Sequence, residues 1–272
     1  VTRRIFFIAD DYGLSPSVNA AILALIGAGR LSVTSCMTGF AEWQADAARL
    51  RLHAGATAIG LHLTLTDHPA LSGCSTLAPD GRLQPLRQLV LAQISGRLDK
   101  GAVHAELDAQ HARFLETLGR MPDFIDGHQH VHFLPVVRDW LLARFAGSPD
   151  GARPTLRGAP RQVFRSAKTA AVAMMAAGFD ETMSACGFRL LSPLSGFYDW
   201  SKPSGFNAVV KSAVAHLPDG AIFMCHPGGD DETLRARDGL VDARAAEFEL
   251  LSSQEFGQCL TAADARIGRL HA

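Results

Sequence analysis

The chain has 272 residues, enough for one large domain or two ordinary ones, and a parallel α/β barrel fits this length as a single unit. Hydrophobic residues make up 47% of it, which supports a sizeable core, and a formal charge of −1 offers no basic field for nucleic acid or an anionic membrane surface. The five cysteines, at 36, 74, 186, 225 and 259, form no C-x-x-C pair, which argues against a disulfide framework or a cysteine zinc site and for reduced thiols in the cytoplasm.

The first residues are too short in apolar length for a signal peptide, and no apolar run approaches the roughly 18 residues needed to span a membrane. A soluble, unexported protein is therefore expected. Residues 5–9, "IFFIA", form a short apolar run that reads as a strand buried on both faces. Asp10 and Asp11 fall at its C-terminal end. Ser15 followed by Pro16 has the form of an N-cap with proline in the first turn, and "VNAAILALIGAG" continues as a helix that stops at glycine. In α/β folds ligands bind at that edge of the sheet. For an isolated pair of aspartates, a turn cap and a solvated neighbour would be the simpler account, so the rest of the chain has to decide.

"LSVTSCMTGF" is strand-like, "AEWQADAARLRLH" helix-like, and "TAIGLHLTLT" strand-like again, which is the alternation of a parallel sheet with helical crossovers. Residues 67–90 break this rhythm with proline and glycine and read as a functional loop or lid. A helix resumes at "AVHAELDAQHARFLETLG", then come "FIDGHQHVHF" as a strand and "PVVRDWLLARFA" as a helix. "RPTLR" reads as one more strand. Helices follow at 164–178 and near 205–216, an irregular "LLSPLSGFYDWSKPSG" lies between them, and the strand "GAIFMCHPGGDD" precedes helices from about 240 onward. No composition shift divides the chain. Some seven βα units in one domain over 1–272 predict a (β/α) barrel-like fold, an irregular TIM-type barrel.

Histidines gather where chemistry is expected. His62 lies inside strand-like "GLHLTL", and "HQHVH" places His128, His130 and His132 at alternate positions, which on a strand would face one side about 6.6 Å apart. At that spacing one metal would use one or two of them, and the others would serve beside it or contact substrate. His226 follows an apolar strand in "MCHPGGDD". Two histidines and a carboxylate suit zinc, iron, manganese or cobalt, with magnesium tolerable, and a second carboxylate beside them can act as base. Metal-assisted hydrolysis is the leading chemistry, since a zinc-like ion brings the pKa of water towards about 7. There is no G-x-S-x-G elbow and no phosphate-binding glycine motif, and Cys225 would project away from His226.

In this order, "ADDYGLSPSVNAAI", "GLHLTLT", "DGHQHVH" and "MCHPGGDD" resemble the YdjC-like carbohydrate deacetylases, a family that includes chitooligosaccharide deacetylase. The resemblance extends to "LDAQHARFLETLGRMPDFID" and "DARAAEFELLSS". It implies a barrel-like fold and removal of an N-acetyl group from an acetylated amino sugar, assisted by a divalent ion such as Mg2+ or Zn2+, and a homodimer. Carried onto this sequence, it implies Asp11, His62 and His128 as metal ligands, Asp10 as base and His226 as the acid that protonates the departing amine. Adjacent strand residues face opposite ways, so both aspartates reach one site only if the backbone leaves strand geometry, for which Gly13 and the turn before Ser15 are the candidates. The reverse assignment of Asp10 and Asp11 is open. Asp126 is a candidate to orient a ligating histidine or to satisfy backbone donors, and Phe197, Tyr198 and Trp200 either stack on a sugar or plug the barrel rim. A non-sugar amidohydrolase and a non-catalytic sugar-binding protein are the competing functions.

Overall fold

A computed structural model describes residues 2–149, 152–160 and 167–270. Nine parallel segments form one sheet: β1 (Arg3–Tyr12), β2 (Val33–Cys36), β3 (Ala58–Leu63), β4 (Phe124–Gly127), β5 (Thr155–Arg157), β6 (Leu190–Leu191), β7 (Leu194–Ser195), β8 (Ala221–Cys225) and β9 (Ala265–Ile267). The ladder runs β6-β5-β4-β3-β2-β1-β8-β7, and β9 pairs with the first residues of β1. The two ends of this path, β6 and β7, are separated in the chain only by Ser192 and Pro193. The sheet's two edges are thus joined through one short segment, and the expected barrel is nearly closed there.

The helices, in order, are α1 (Pro16–Gly27), α2 (Trp43–Arg51), α3 (Leu86–Ile94), α4 (Lys100–Leu118), α5 (Pro135–Phe145), α6 (Ala167–Met175), α7 (Phe179–Ala185), α8 (Gly205–His216), α9 (Glu232–Arg237), α10 (Val241–Ser252) and α11 (Gln254–Ala262). The cap of α1 is as the sequence predicts: Ser15 is extended, its hydroxyl accepts the Val18 N–H at 3.3 Å, and Pro16 opens the helix. From β1 through β3 each element matches its predicted type, because its apolar pattern is buried by the barrel wall. Among the described residues, no helix is long and apolar enough to cross a membrane.

Three expectations are corrected. The loop beginning at residue 67 ends at Pro85, since α3 starts at Leu86. This loop is stapled down, with Leu71 and Ser72 donating their N–H groups to the buried Glu106 carboxylate and Leu83 N–H to the His68 carbonyl. The helix expected at 164–178 is α6 followed by a separate α7, and residues 164–166 lie outside the described residues. The strand expected through "FIDGHQHVHF" stops at Gly127, and His128–Phe133 winds into a 3-10 turn in which Gln129 (φ 50°) and His130 (φ 63°) are left-handed. His128, His130 and His132 therefore do not share a strand face.

The departure from strand geometry expected at the two aspartates is present. It occurs at Asp11 itself, whose φ is 67°, and the register of β1 against β2 shifts between Ala9 and Tyr12. Aspartate tolerates this left-handed conformation better than most residues, and the bulge re-aims its side chain. Gly13 supports the turn: its φ is 100°, and a Cβ there would lie 2.7 Å from the Met37 carbonyl oxygen. Replacing Gly13 by alanine combines backbone strain with overpacking and should cost about 1–3 kcal/mol. A lowered urea midpoint would show it; an unchanged midpoint would mean that the turn relaxes without cost.

Candidate active site

Strand ends β1, β3, β4 and β8 open on one cavity of about 710 Å³, whose walls include Asp10, Asp11, His62, His128, Trp200 and His226. All five residues expected to do chemistry are brought together. Asp11 Oδ1 lies 3.2 Å from His62 Nε2 and 3.1 Å from His128 Nδ1. Asp10 Oδ2 is 3.6 Å from His226 Nε2. His128 reaches the cluster because the 3-10 turn begins there, whereas His130 turns towards Phe197 and His132 is buried against Phe133 and Phe179.

Each aspartate is held by its own buried arginine. Arg157, at the end of β5, donates from Nη1 to Asp10 Oδ2 at 2.9 Å and from Nη2 to Oδ1 at 2.5 Å, and the same Nη2 is 2.5 Å from Asp126 Oδ2. Arg244, on α10, donates to Asp11 Oδ2 at 2.5 Å and to Asp238. Asp126 in turn bonds His62 Nδ1 at 2.6 Å, so it orients a histidine rather than serving backbone donors, and Ser35 is 3.1 Å from both.

Burial penalises every charge here, and the partners decide the outcome. For Asp11, burial is outweighed by Arg244 and the two histidines, which hold its carboxyl well below the usual range. For Asp10, burial prevails over Arg157 and the carboxyl is raised. In His62, burial is outweighed by Asp126, Asp11 and Asp10, and the imidazole is pushed up to about 10. Burial lifts Glu247 to about 7 despite the N–H of His226 and the hydroxyl of Tyr198 that it accepts.

The aromatic segment divides by role. Trp200 lines the cavity with its ring centroid 5.0 Å from that of His226, while Tyr198 is tied to Glu247 at 2.7 Å. Cys225 is buried, its Sγ against the Ile8 carbonyl, as its strand position implied. Sequence reasoning missed Arg157, Arg244, Glu247 and Ser35. Arg157 carried a signal, a charged residue ending a predicted strand in "RPTLR"; Arg244 and Glu247 carried none beyond their place in "DARAAEFELLSS".

The donor set fits a divalent ion. Asp11, His62 and His128 each offer one ligand atom, and these lie within 4.8 Å of one another. A second group, Asp10, His62 and Asp126, meets the same distance limit, but there the Arg157 guanidinium already occupies both carboxylates. In the first group His62 keeps Nδ1 on Asp126 and presents Nε2, the arrangement usual for a ligating histidine.

The profile described as "YdjC-like protein" matches residues 4–262. The chain belongs to the YdjC-like family. A chitooligosaccharide deacetylase from Enterobacter sp. (strain 638) is 28% identical over 265 residues, covering 96% of this chain and 95% of its own. A carbohydrate deacetylase from Halalkalibacterium halodurans is 29% identical over 263 residues, covering 93% and 97%. Among solved structures, a protein thought to cleave cellobiose phosphate, from Enterococcus faecalis V583, superimposes with a TM-score of 0.77 at 22% identity over 99% of this chain and 98% of its own, which confirms the fold. The barrel predicted for this YdjC-like chain is thus the one it has.

The charge on His62 gives this YdjC-like site a measurable signature. At pH 8 an imidazole titrating near 10 is protonated in the metal-free protein, and ligation requires Nε2 without its proton. Titration with Zn2+ in buffers of differing ionisation enthalpy should release about one proton per ion, and affinity should rise with pH up to that pKa. Uptake or no release, with affinity flat across this pH range, would mean that no charged His62 gives up its proton to the ion.

Proposed function

We propose that the protein is a divalent-metal-dependent hydrolase that removes an N-acetyl group from an acetylated amino sugar, in a small oligosaccharide or glycoconjugate. The observation that carries this reading is the convergence of Asp11 Oδ1, His62 Nε2 and His128 Nδ1, with Asp10 and His226 beside them and 3.6 Å apart. Relatives aligned along nearly the whole chain are named chitooligosaccharide and carbohydrate deacetylases. The unbroken family match supports treating 1–272 as one catalytic domain.

Asp11, His62 and His128 would hold the ion, and nitrogen-rich ligation favours Zn2+ or a similar ion over Mg2+. When bound, the ion supplies Lewis acidity and makes water more acidic. Asp10, fixed by both Arg157 nitrogens, takes the proton of the water that adds to the acetyl carbon. Its raised pKa makes it a stronger acceptor than an exposed carboxylate. His226 gives a proton to the amide nitrogen as the C–N bond breaks, so acetate and a free amine leave. Trp200, against His226, supplies an apolar face for a sugar ring.

An amine is a very poor leaving group unless protonated, whereas a phenolate leaves unassisted. His226→Ala should therefore lose about 10²- to 10⁴-fold on an N-acetylglucosamine oligomer but far less on an activated aryl acetate, and a sugar-shaped site faced by Trp200 should release acetate from the oligomers and not from simple amides. Equal losses on the two substrates would remove the acid role from His226. Preference for simple amides over the oligomers would contradict a sugar substrate.

A further inference from the structure

Helix α10 places two buried charged side chains, Arg244 and Glu247, one turn apart behind the site, each 1% exposed. Their contacts reach both of its halves. Arg244 takes Asp11 Oδ2 at 2.5 Å, while its Nε and Nη2 both bond Asp238 Oδ2, at 2.8 and 2.6 Å. The Arg244 carbonyl accepts the Gly228 N–H at 3.1 Å, two residues beyond His226. That approach is tight, since a Cβ on Gly228 would lie 3.1 Å from the Arg244 Cβ. One turn later, Glu247 Oε2 accepts the His226 N–H and Oε1 the Tyr198 hydroxyl.

A carboxylate free to rotate about its last bond offers either oxygen, or both, to a cation. With Oδ2 pinned by Arg244, Asp11 presents only Oδ1 towards His62 and His128. Lysine cannot reproduce this, because the contact needs a planar fork that meets Asp11 and Asp238 together. On the other side, His226 follows the last residue of β8. Glu247 holds its backbone there and, through Tyr198, the segment that carries Trp200 against its ring.

We propose that α10 is the brace of the site: Arg244 is a positioning residue that makes Asp11 a one-oxygen metal ligand, and Glu247 is a positioning residue that sets His226 and Trp200 over the substrate amide. This rests on reading Asp11 as a ligand and His226 as the acid. Neither side chain needs to touch substrate.

The test is Co2+ titration of the metal-free protein, followed by its visible spectrum, together with kinetics on an N-acetylglucosamine oligomer and an aryl acetate. Arg244→Lys should bind Co2+ about 10- to 100-fold more weakly, the usual effect of losing a group that orients a ligand, with an altered spectrum. Asp238→Asn, which frees the fork, should weaken binding in the same direction and serves if Arg244→Lys does not fold. Glu247→Leu should keep wild-type Co2+ affinity and lose kcat on the oligomer more than on the aryl ester, and Glu247→Gln, which can still accept the His226 N–H, should restore most of it. Unchanged Co2+ affinity and spectrum in both Arg244→Lys and Asp238→Asn would overturn the first arm. Equal losses on both substrates in Glu247→Leu, or no recovery in Glu247→Gln, would overturn the second. A wild-type protein that binds no Co2+ would instead overturn the reading of the site itself.

Discussion

Two neighbouring carboxylates, Asp10 and Asp11, are buried to 2% and 1% exposure at the end of a central strand, and the rest of the site exists to make that tolerable. An ionised carboxylate in such surroundings, without partners, would cost many kcal/mol and would protonate instead. Each has its own arginine, which outweighs burial for Asp11 and only partly offsets it for Asp10. Arg157 pairs with Asp10 and Asp126 from β5, and Arg244 pairs with Asp11 and Asp238 from α10. Removing one member of a buried pair of this kind typically costs about 3–5 kcal/mol, because the other is left charged and unpaired. The arrangement also differentiates the two aspartates: one carboxyl is held low and faces histidines, and the other is raised and faces His226.

The barrel supplies the positions and a local departure from regularity supplies the aim. Parallel strands bring His62, the start of the His128 turn, Arg157 and His226 to one mouth from four different places in the chain. A regular β1 would still have sent one aspartate to the wrong face. The left-handed residue at Asp11, backed by Gly13 against Met37, lets both enter the cavity. A left-handed residue is here the means by which adjacent carboxylates face one cavity with different partners.

Much of this was legible in the chain. The Ser15-Pro16 start of α1, the apolar strand before Asp10 and the strand-end placement of His62 and His226 follow from local patterns that the barrel confirms. The alternating histidines were misread, because "HQHVH" has strand periodicity while Gln129 and His130 take a left-handed turn that no apolar pattern announces. Arg157 and Arg244 were missed for a different reason. An arginine is ordinarily a surface residue, and only contacts across 147 and 233 positions of chain show that these two are buried counter-charges. The role of α10 is non-local in the same way: its buried face carries Arg244 and Glu247 beside Ala243 and Leu251, and what these do lies in what they touch.

The central claim is that the two aspartates divide the work, Asp11 as ligand and Asp10 as base. The most direct measurement is metal content and turnover in Asp10→Asn and Asp11→Asn, purified and reconstituted side by side. Asp10→Asn should retain its ion while turnover falls about 10²- to 10⁴-fold, the scale of general acid–base catalysis, and Asp11→Asn should lose the ion and the activity together. An Asp10→Asn protein that loses the ion, beside an Asp11→Asn protein that keeps it, would contradict the account.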